Sequence, residues 1–289
     1  MWFFAFRGFM TIDELKEKYT YETSSFVEID GLDIHYCDEG DGEVILLVHG
    51  TFSSLHTFDD WNEILKKQYR VIRLDLPGFG LTGPNPSYEY SIDDYSDFLD
   101  AFLAKLNIKS CYLAGSSLGG WICWEFAVKY ENRVDELILI NSAGYVGEKS
   151  MPLPFVIAKT PVLRNVFNYV PRAVVRRFLR QVFENQSKVT DKVVNRHYDL
   201  FHREGNKEAF VKLANSDNVH NTDRLTQLSI PVLIMWGAND NWINVKHSRK
   251  FEKDIPNSEV VIYENVGHVP MEEIPEKSAA DLISFLVSN

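Results

Sequence analysis

The chain has 289 residues, 45% of them hydrophobic and 13% aromatic, which supplies a substantial core and excludes disorder over most of its length. Its 30 basic and 41 acidic side chains leave a formal charge of −11. Such a surface repels phosphate backbones, excludes nucleic acid as a partner and favours neutral or weakly polar small molecules, except where cations cluster locally. The three cysteines, Cys37, Cys111 and Cys123, match no zinc spacing and read as reduced core residues of a cytoplasmic protein.

Residues 1–10 (MWFFAFRGFM) are intensely apolar but too short to cross a bilayer, and they lack the basic start and cleavage site of a secretory signal. With a helix over 11–19 they form an N-terminal extension, residues 1–25, whose apolar leader is expected to pack on the body or stay mobile. A shallow membrane contact through residues 1–10 is the alternative. Asp30-Gly31 between the alternating runs 26–29 and 32–36 predicts a hairpin. The apolar run 44–48 predicts a strand covered on both faces, followed by a helix over 58–67 and a buried strand over 70–75. Asp75-Leu76-Pro77-Gly78-Phe79-Gly80 reads as loop. Residues 91–106 place Ile92, Tyr95, Leu99, Phe102, Leu103 and Leu106 on one helix face. A strand at 111–114, a helix at 118–130 and a strand at 134–140 follow. This alternation predicts an α/β fold with a mostly parallel sheet and helices on both faces.

The rhythm stops at Asn141. Residues 145–228 are punctuated by proline, basic in places and read as all helical. Strands at 231–236 and 259–263 and a helix at 275–287 then complete the pattern. The expected organisation is a core of residues 26–144 and 229–289, interrupted after the sixth strand by a helical insertion, 145–228.

Gly115-Ser116-Ser117-Leu118-Gly119-Gly120 joins an apolar strand directly to a helix. A nucleophile elbow needs this arrangement, with a serine on a strained turn and tiny residues two before and two after it. Gly115 and Gly119 occupy those slots around Ser117, which selects it over Ser116. A serine hydroxyl needs a base to accept its proton, and His268, in the loop after the last strand, stands where that base is required. The histidine needs a carboxylate to hold its tautomer. Of the two strand ends that could supply one, Ile140-Asn141-Ser142 has none, and Trp236-Gly237-Ala238-Asn239-Asp240 offers Asp240. Two backbone N–H groups must receive the oxyanion: one from Leu118, the other from Thr51 or Phe52 in the loop His49-Gly50-Thr51-Phe52-Ser53. Gly50 is read as the residue that lets this loop turn sharply, and His49 as its brace. No group of side chains has metal-ligand spacing, and the chemistry calls for neither metal nor organic cofactor.

Five stretches carry a resemblance: VHGTFSS from Val48, DLPGFG from Asp75, GSSLGG from Gly115, WGANDNWI from Trp236 and GHVPMEE from Gly267. In this order the chain resembles the α/β-hydrolase superfamily, and within it a capped, esterase-like serine hydrolase. The resemblance implies that residues 145–228 cap the active site. It also implies hydrolysis of small to medium neutral carboxylic esters through an acyl-enzyme, with a small-molecule ester as the expected partner; the oligomeric state is not legible. Two other readings stand beside it. Carbon–carbon hydrolases of ring-cleavage products, and lactonases, use the same triad, although the former commonly carry tryptophan after the histidine, where this chain has Val269. A non-catalytic ligand receptor would have no need of an intact triad. Arg172, Arg176, Arg177 and Arg180 could bind a substrate carboxylate but read as a solvated helix face. Among Phe155, Phe167, Tyr169, Phe178 and Phe183, the greater part is expected in core rather than pocket.

Overall fold

The structure, a computed structural model, describes residues 9–85, 87–145, 152–217 and 221–288. Helix α1 (Ile12–Tyr19) opens on a capping box, Thr11 with Glu14. Its Leu15 and Tyr19 bury a small cluster with Leu81, Leu200 and Met10, so the extension packs on the body where it is described. Most of the apolar leader, residues 1–8, lies outside the described residues, as does its membrane alternative. Asp30 and Gly31 both take positive φ (52° and 77°), the geometry of a two-residue hairpin turn between β1 (Ser24–Ile29) and β2 (Leu32–Glu39).

Strand β3 (Val44–Val48) is followed by α2 (Asp59–Leu65), β4 (Arg70–Leu74), α3 (Ile92–Lys105), β5 (Cys111–Ser116), α4 (Leu118–Lys129) and β6 (Val134–Ile140). The insertion contributes α5 (Leu153–Lys159), α6 (Arg172–Val182), α7 (Asp191–Phe201) and α8 (Asn206–Asn215). The core then resumes with β7 (Val232–Gly237), α9 (Lys246–Asp254), β8 (Ser258–Tyr263), α10 (Pro270–Glu273) and α11 (Pro275–Ser288). All regular structure described between β6 and β7 is helical, as the sequence predicts. Helix α9 is a departure: only Ser248 and Phe251 are buried on it, too thin an apolar stripe to announce a helix.

The eight strands form one sheet in the order β1-β2-β4-β3-β5-β6-β7-β8. Strands β1 and β2 pair antiparallel with their neighbours, and β3 to β8 are parallel. From β3 the chain steps to β4 on one side, then crosses through α3 to β5 on the other. Strand order therefore reverses at β3, and the crevice at the carboxyl ends of β3 and β5 is the topological switch point where open α/β sheets bind ligands. The three cysteines are free and buried. Among the described residues no helix is long and apolar enough to cross a membrane.

Candidate active site

Strand β5 passes into α4 through a single residue, Ser117, at φ 56° and ψ −115°. A non-glycine residue in this region is strained, and the surroundings must hold it there. They do so through the backbone. Ser117 N–H donates to Ile140 O at 3.0 Å, and its carbonyl accepts from Trp121 N (3.1 Å) and Ala143 N (2.9 Å). The flanking glycines are fixed by contact: a Cβ on Gly115 would collide with the Gly119 carbonyl, and one on Gly119 with the Val48 carbonyl. Strand, helix and the neighbouring strand can approach this closely only where side chains are missing. The Leu118 N–H, at the start of α4, has no hydrogen-bond partner among the described residues and lies at the positive end of the helix dipole.

The loop after β3 lies beside the elbow. Its sharp turn falls on Phe52 (φ 63°) rather than on Gly50, whose role is one of space. A Cβ at Gly50 would stand 2.9 Å from Ser117 Cβ, so glycine there lets the loop press against the serine. Neither Thr51 N–H nor Phe52 N–H has a partner among the described residues. His49 braces the loop: its Nδ1–H donates to Gly50 O at 2.7 Å, and its Nε2 accepts from Leu76 N–H at 3.0 Å. Full burial disfavours its charged form and lowers its pKa.

His268 Nδ1 donates to Asp240 Oδ2 at 2.7 Å. The other oxygen of Asp240, Oδ1, accepts from Trp242 N (2.7 Å) and Ile243 N (3.0 Å), and Asn141 Nδ2 donates to Oδ2 at 2.7 Å. Burial alone would raise the Asp240 pKa. The opposing charge and hydrogen bond of His268, with the Ile243 and Asn141 donors, hold it below the ordinary carboxylate value. The Trp242 ring stacks on the imidazole at 6.1 Å between centroids. The histidine loop is also tied to the insertion, since His268 N–H donates to Val182 O at 2.8 Å. Glu273 accepts from Gly267 N (2.8 Å) with one oxygen and from Asn185 N (2.7 Å) with the other. Gly267 is needed because a Cβ there would meet Val182 O at 2.5 Å.

Ser117 and His268 border the same cavity, of about 110 Å³, without a direct hydrogen bond between them. Catalytic contacts in unliganded sites are often long. The lining is mostly apolar and includes Phe167, Val175, Phe178 and Leu179 from the insertion. A wider cavity, about 500 Å³, meets the first at Thr51, Ser117 and Trp242 and extends past Leu118, Trp121, His247 and Lys159. The serine thus stands at a junction, with space on two sides for the two halves of a cleavable substrate. Of the five aromatics named from sequence, Phe167, Phe178 and Phe183 border the first cavity and Phe155 the second, while Tyr169 is 79% exposed. More of them reach the pocket than expected, because Phe167 and Phe183 are buried and border the cavity at once. None of the four arginines borders either cavity: Arg172 pairs with Asp199, Arg176 with Asp191, and Arg177 and Arg180 are exposed.

The family model of the α/β hydrolase fold matches residues 43–275. The chain belongs to the α/β-hydrolase family. This α/β hydrolase is 27% identical over 271 residues to the 2-hydroxy-6-oxo-6-(2'-aminophenyl)hexa-2,4-dienoic acid hydrolase of Metapseudomonas resinovorans, covering 90% of each chain. Among solved structures it resembles a bacterial membrane phospholipase A at 25% identity and TM-score 0.77, over 92% of this chain and 86% of that one. It also shares the fold of a putative lipase from Acinetobacter baumannii at 22% identity and TM-score 0.81, over 96% of each chain.

Several residues of this hydrolase's site escaped sequence reasoning. Asn141 has no carboxylate to offer, yet it donates to that of Asp240. Glu273 and Trp242 sit in stretches that had already been singled out, but their contacts run to other segments. His197 carried no local signal. It borders the first cavity, and its Nδ1–H donates to Val193 O at 2.9 Å.

Proposed function

We propose that this α/β hydrolase cleaves carboxylic esters of small to medium neutral substrates through an acyl-enzyme on Ser117, with His268 as general base and Asp240 as its orienting acid. The observation that carries this reading is the 2.7 Å bond from His268 Nδ1 to a buried Asp240. It leaves Nε2 as the free lone pair of a ring that shares its cavity with the strained Ser117. In the first half-reaction Ser117 Oγ bonds to the carbonyl carbon as its proton passes to His268 Nε2. The carbonyl oxygen, now negative, is received by Leu118 N–H and an N–H of the Thr51–Phe52 turn. Collapse breaks the bond to the leaving oxygen, which takes the proton from His268 and departs as the alcohol. Water then repeats the sequence and releases the acid. The junction of two cavities at Ser117 accords with acyl and alcohol portions lying on opposite sides. The free, buried cysteines accord with a cytoplasmic location.

Ser117→Ala is expected to abolish turnover of short p-nitrophenyl esters and labelling by a fluorophosphonate; retained labelling would overturn the assignment. Asp240→Asn is expected to leave a folded protein slowed on the order of 10³- to 10⁴-fold. A second reading, carbon–carbon hydrolysis of a ring-cleavage dienoate, is favoured by the resemblance to the dienoic acid hydrolase. No described arginine borders either cavity, while Lys159 at the second offers a cation to a substrate carboxylate. Steady-state kinetics on an ester, a lactone and a dienoate side by side, compared by kcat/KM, separate the three.

A further inference from the structure

The outer face of the insertion is unlike the rest of the molecule. Of the twelve large hydrophobic residues exposed among the described residues, seven fall between positions 153 and 174: Leu153, Val156, Val162, Leu163, Val166, Tyr169 and Val174. They are grouped by the backbone. Leu163, Val166 and Tyr169 lie three apart at the 3₁₀ turn Arg164–Tyr169, where side chains at that spacing eclipse. Leu153 and Val156 share one side of α5 by the same spacing. Val162, 84% exposed, stands between the two groups.

The charge of this stretch is equally distinct. Residues 152–183 hold six basic side chains and no acidic one, in a chain of net charge −11. Arg164, Arg177 and Arg180 are exposed and form no ion pair with any described residue. Apolar side chains interleaved with unpaired arginines suit the boundary between headgroups and acyl chains of an anionic bilayer. The acidic remainder of the protein would be repelled by such a surface, which orients the molecule with this face inward. A second copy of the chain fits poorly, because a two-fold contact through this face would set arginine against arginine.

We propose that residues 152–183 dock the enzyme on an anionic lipid bilayer and that the esters it takes from there are acyl esters of membrane lipids, which widens the substrate range beyond the small to medium neutral esters above. The substrate half of this rests on the ester-hydrolase reading above; the docking half does not. The same segment turns Phe167, Val175, Phe178 and Leu179 inward to line the cavity at Ser117. An acyl chain leaving the bilayer would therefore cross one layer of protein to reach the serine.

The test is cosedimentation of the full-length Ser117→Ala protein, which leaves the lipid intact, with vesicles of phosphatidylcholine alone or mixed with phosphatidylglycerol. Binding to the mixed vesicles and not the neutral ones, reduced by high salt, is expected. Val162→Asp with Val166→Asp, and separately Arg177→Glu with Arg180→Glu, should each lower partitioning about tenfold or more. Both variants should keep wild-type Tm and wild-type kcat/KM on a water-soluble ester. Absence of binding, equal binding to both vesicles, or undiminished binding by the variants overturns the docking surface. So does a dimer in solution that the Val162→Asp pair dissociates. If the Ser117→Ala protein docks but the wild type hydrolyses neither soluble esters nor vesicle lipid, the ester-hydrolase reading falls and the docking surface stands. If soluble esters are cleaved and vesicle lipid is not, the lipid-ester half alone falls.

Discussion

Asn141 leaves β6 with a left-handed backbone (φ 44°) and spans to the neighbouring strand, where its Oδ1 accepts from Gly237 N–H at 3.3 Å and its Nδ2 donates to Asp240 at 2.7 Å. One side chain thus fixes both the end of β7 and the carboxylate that follows it. Asp240 is buried and ionised, so each donor it keeps offsets part of its desolvation. Replacing Asn141 by Leu removes a hydrogen bond to a charged group, a change of about 1.5–3 kcal/mol. Felt mainly where the imidazolium forms, that loss should lower kcat about 10- to 100-fold with KM little changed. A parallel rise in KM would mean instead that the cavity had collapsed. Ser117, His268 and Asp240 could be named as candidates because each follows a strand in a turn-rich stretch whose pattern is local. Asn141 was not, because its function lies in an atom delivered to another loop, 99 residues away in sequence.

Two close approaches govern the elements around the elbow, β5 to α4 and α4 to the end of β3. Gly119 lies at the second, against the Val48 carbonyl. Gly119→Ala is expected to cost about 1–3 kcal/mol in urea unfolding, as overpacking of a rigid contact does. It should also lower turnover, because the displaced partner is the strand that carries the Thr51–Phe52 turn. An unchanged midpoint would show that β3 yields freely. The sequence located this elbow to the residue, since a glycine pattern around a strand-to-helix junction has few other uses. It said much less about the insertion. Helices α5 to α8 pack largely on one another, with Phe155 and Phe167 against Phe210, and the same faces border the cavity, so local periodicity could not separate lining from packing. The tie from His268 to Val182 is backbone to backbone and that from Asn185 to Glu273 starts from a backbone N–H, so neither is written in a local side-chain pattern.

Over the whole molecule, the buried His56, the half-buried His197 and the buried Arg196 beside them make stability depend on pH. Burial, with the nearby Arg196 charge, lowers the pKa of His56 to about 4 and of His197 to about 3, from an ordinary 6.5. Both are therefore neutral when folded and protonate more readily when unfolded. Their contribution is complete above about pH 6.5 and is lost as pH falls through the window down to the folded values. Each unit of such a shift corresponds to about 1.4 kcal/mol. The urea midpoint should thus fall between about pH 6.5 and pH 4.5, and His197→Gln should flatten the decline. A wild-type midpoint flat across that range would show that protonation finds relief elsewhere. Arg196 itself bridges the insertion to the core, reaching Glu272 Oε2 at 3.4 Å, while Thr57 donates to Glu272 Oε1 at 2.5 Å.

The sequence by itself determined the parallel α/β core, the place of the helical insertion and the three candidate catalytic side chains. Each of these is written in short-range spacing: apolar runs, glycines about a serine, a carboxylate and a histidine just past strand ends. Only the tertiary structure decided what surrounds them. Which aromatic residues face the cavity, which arginines stay unpaired on the outer face, and which amide steadies Asp240 all depend on distances between segments far apart in the chain. Those distances are set by packing the insertion onto the sheet, and no window of sequence contains both partners.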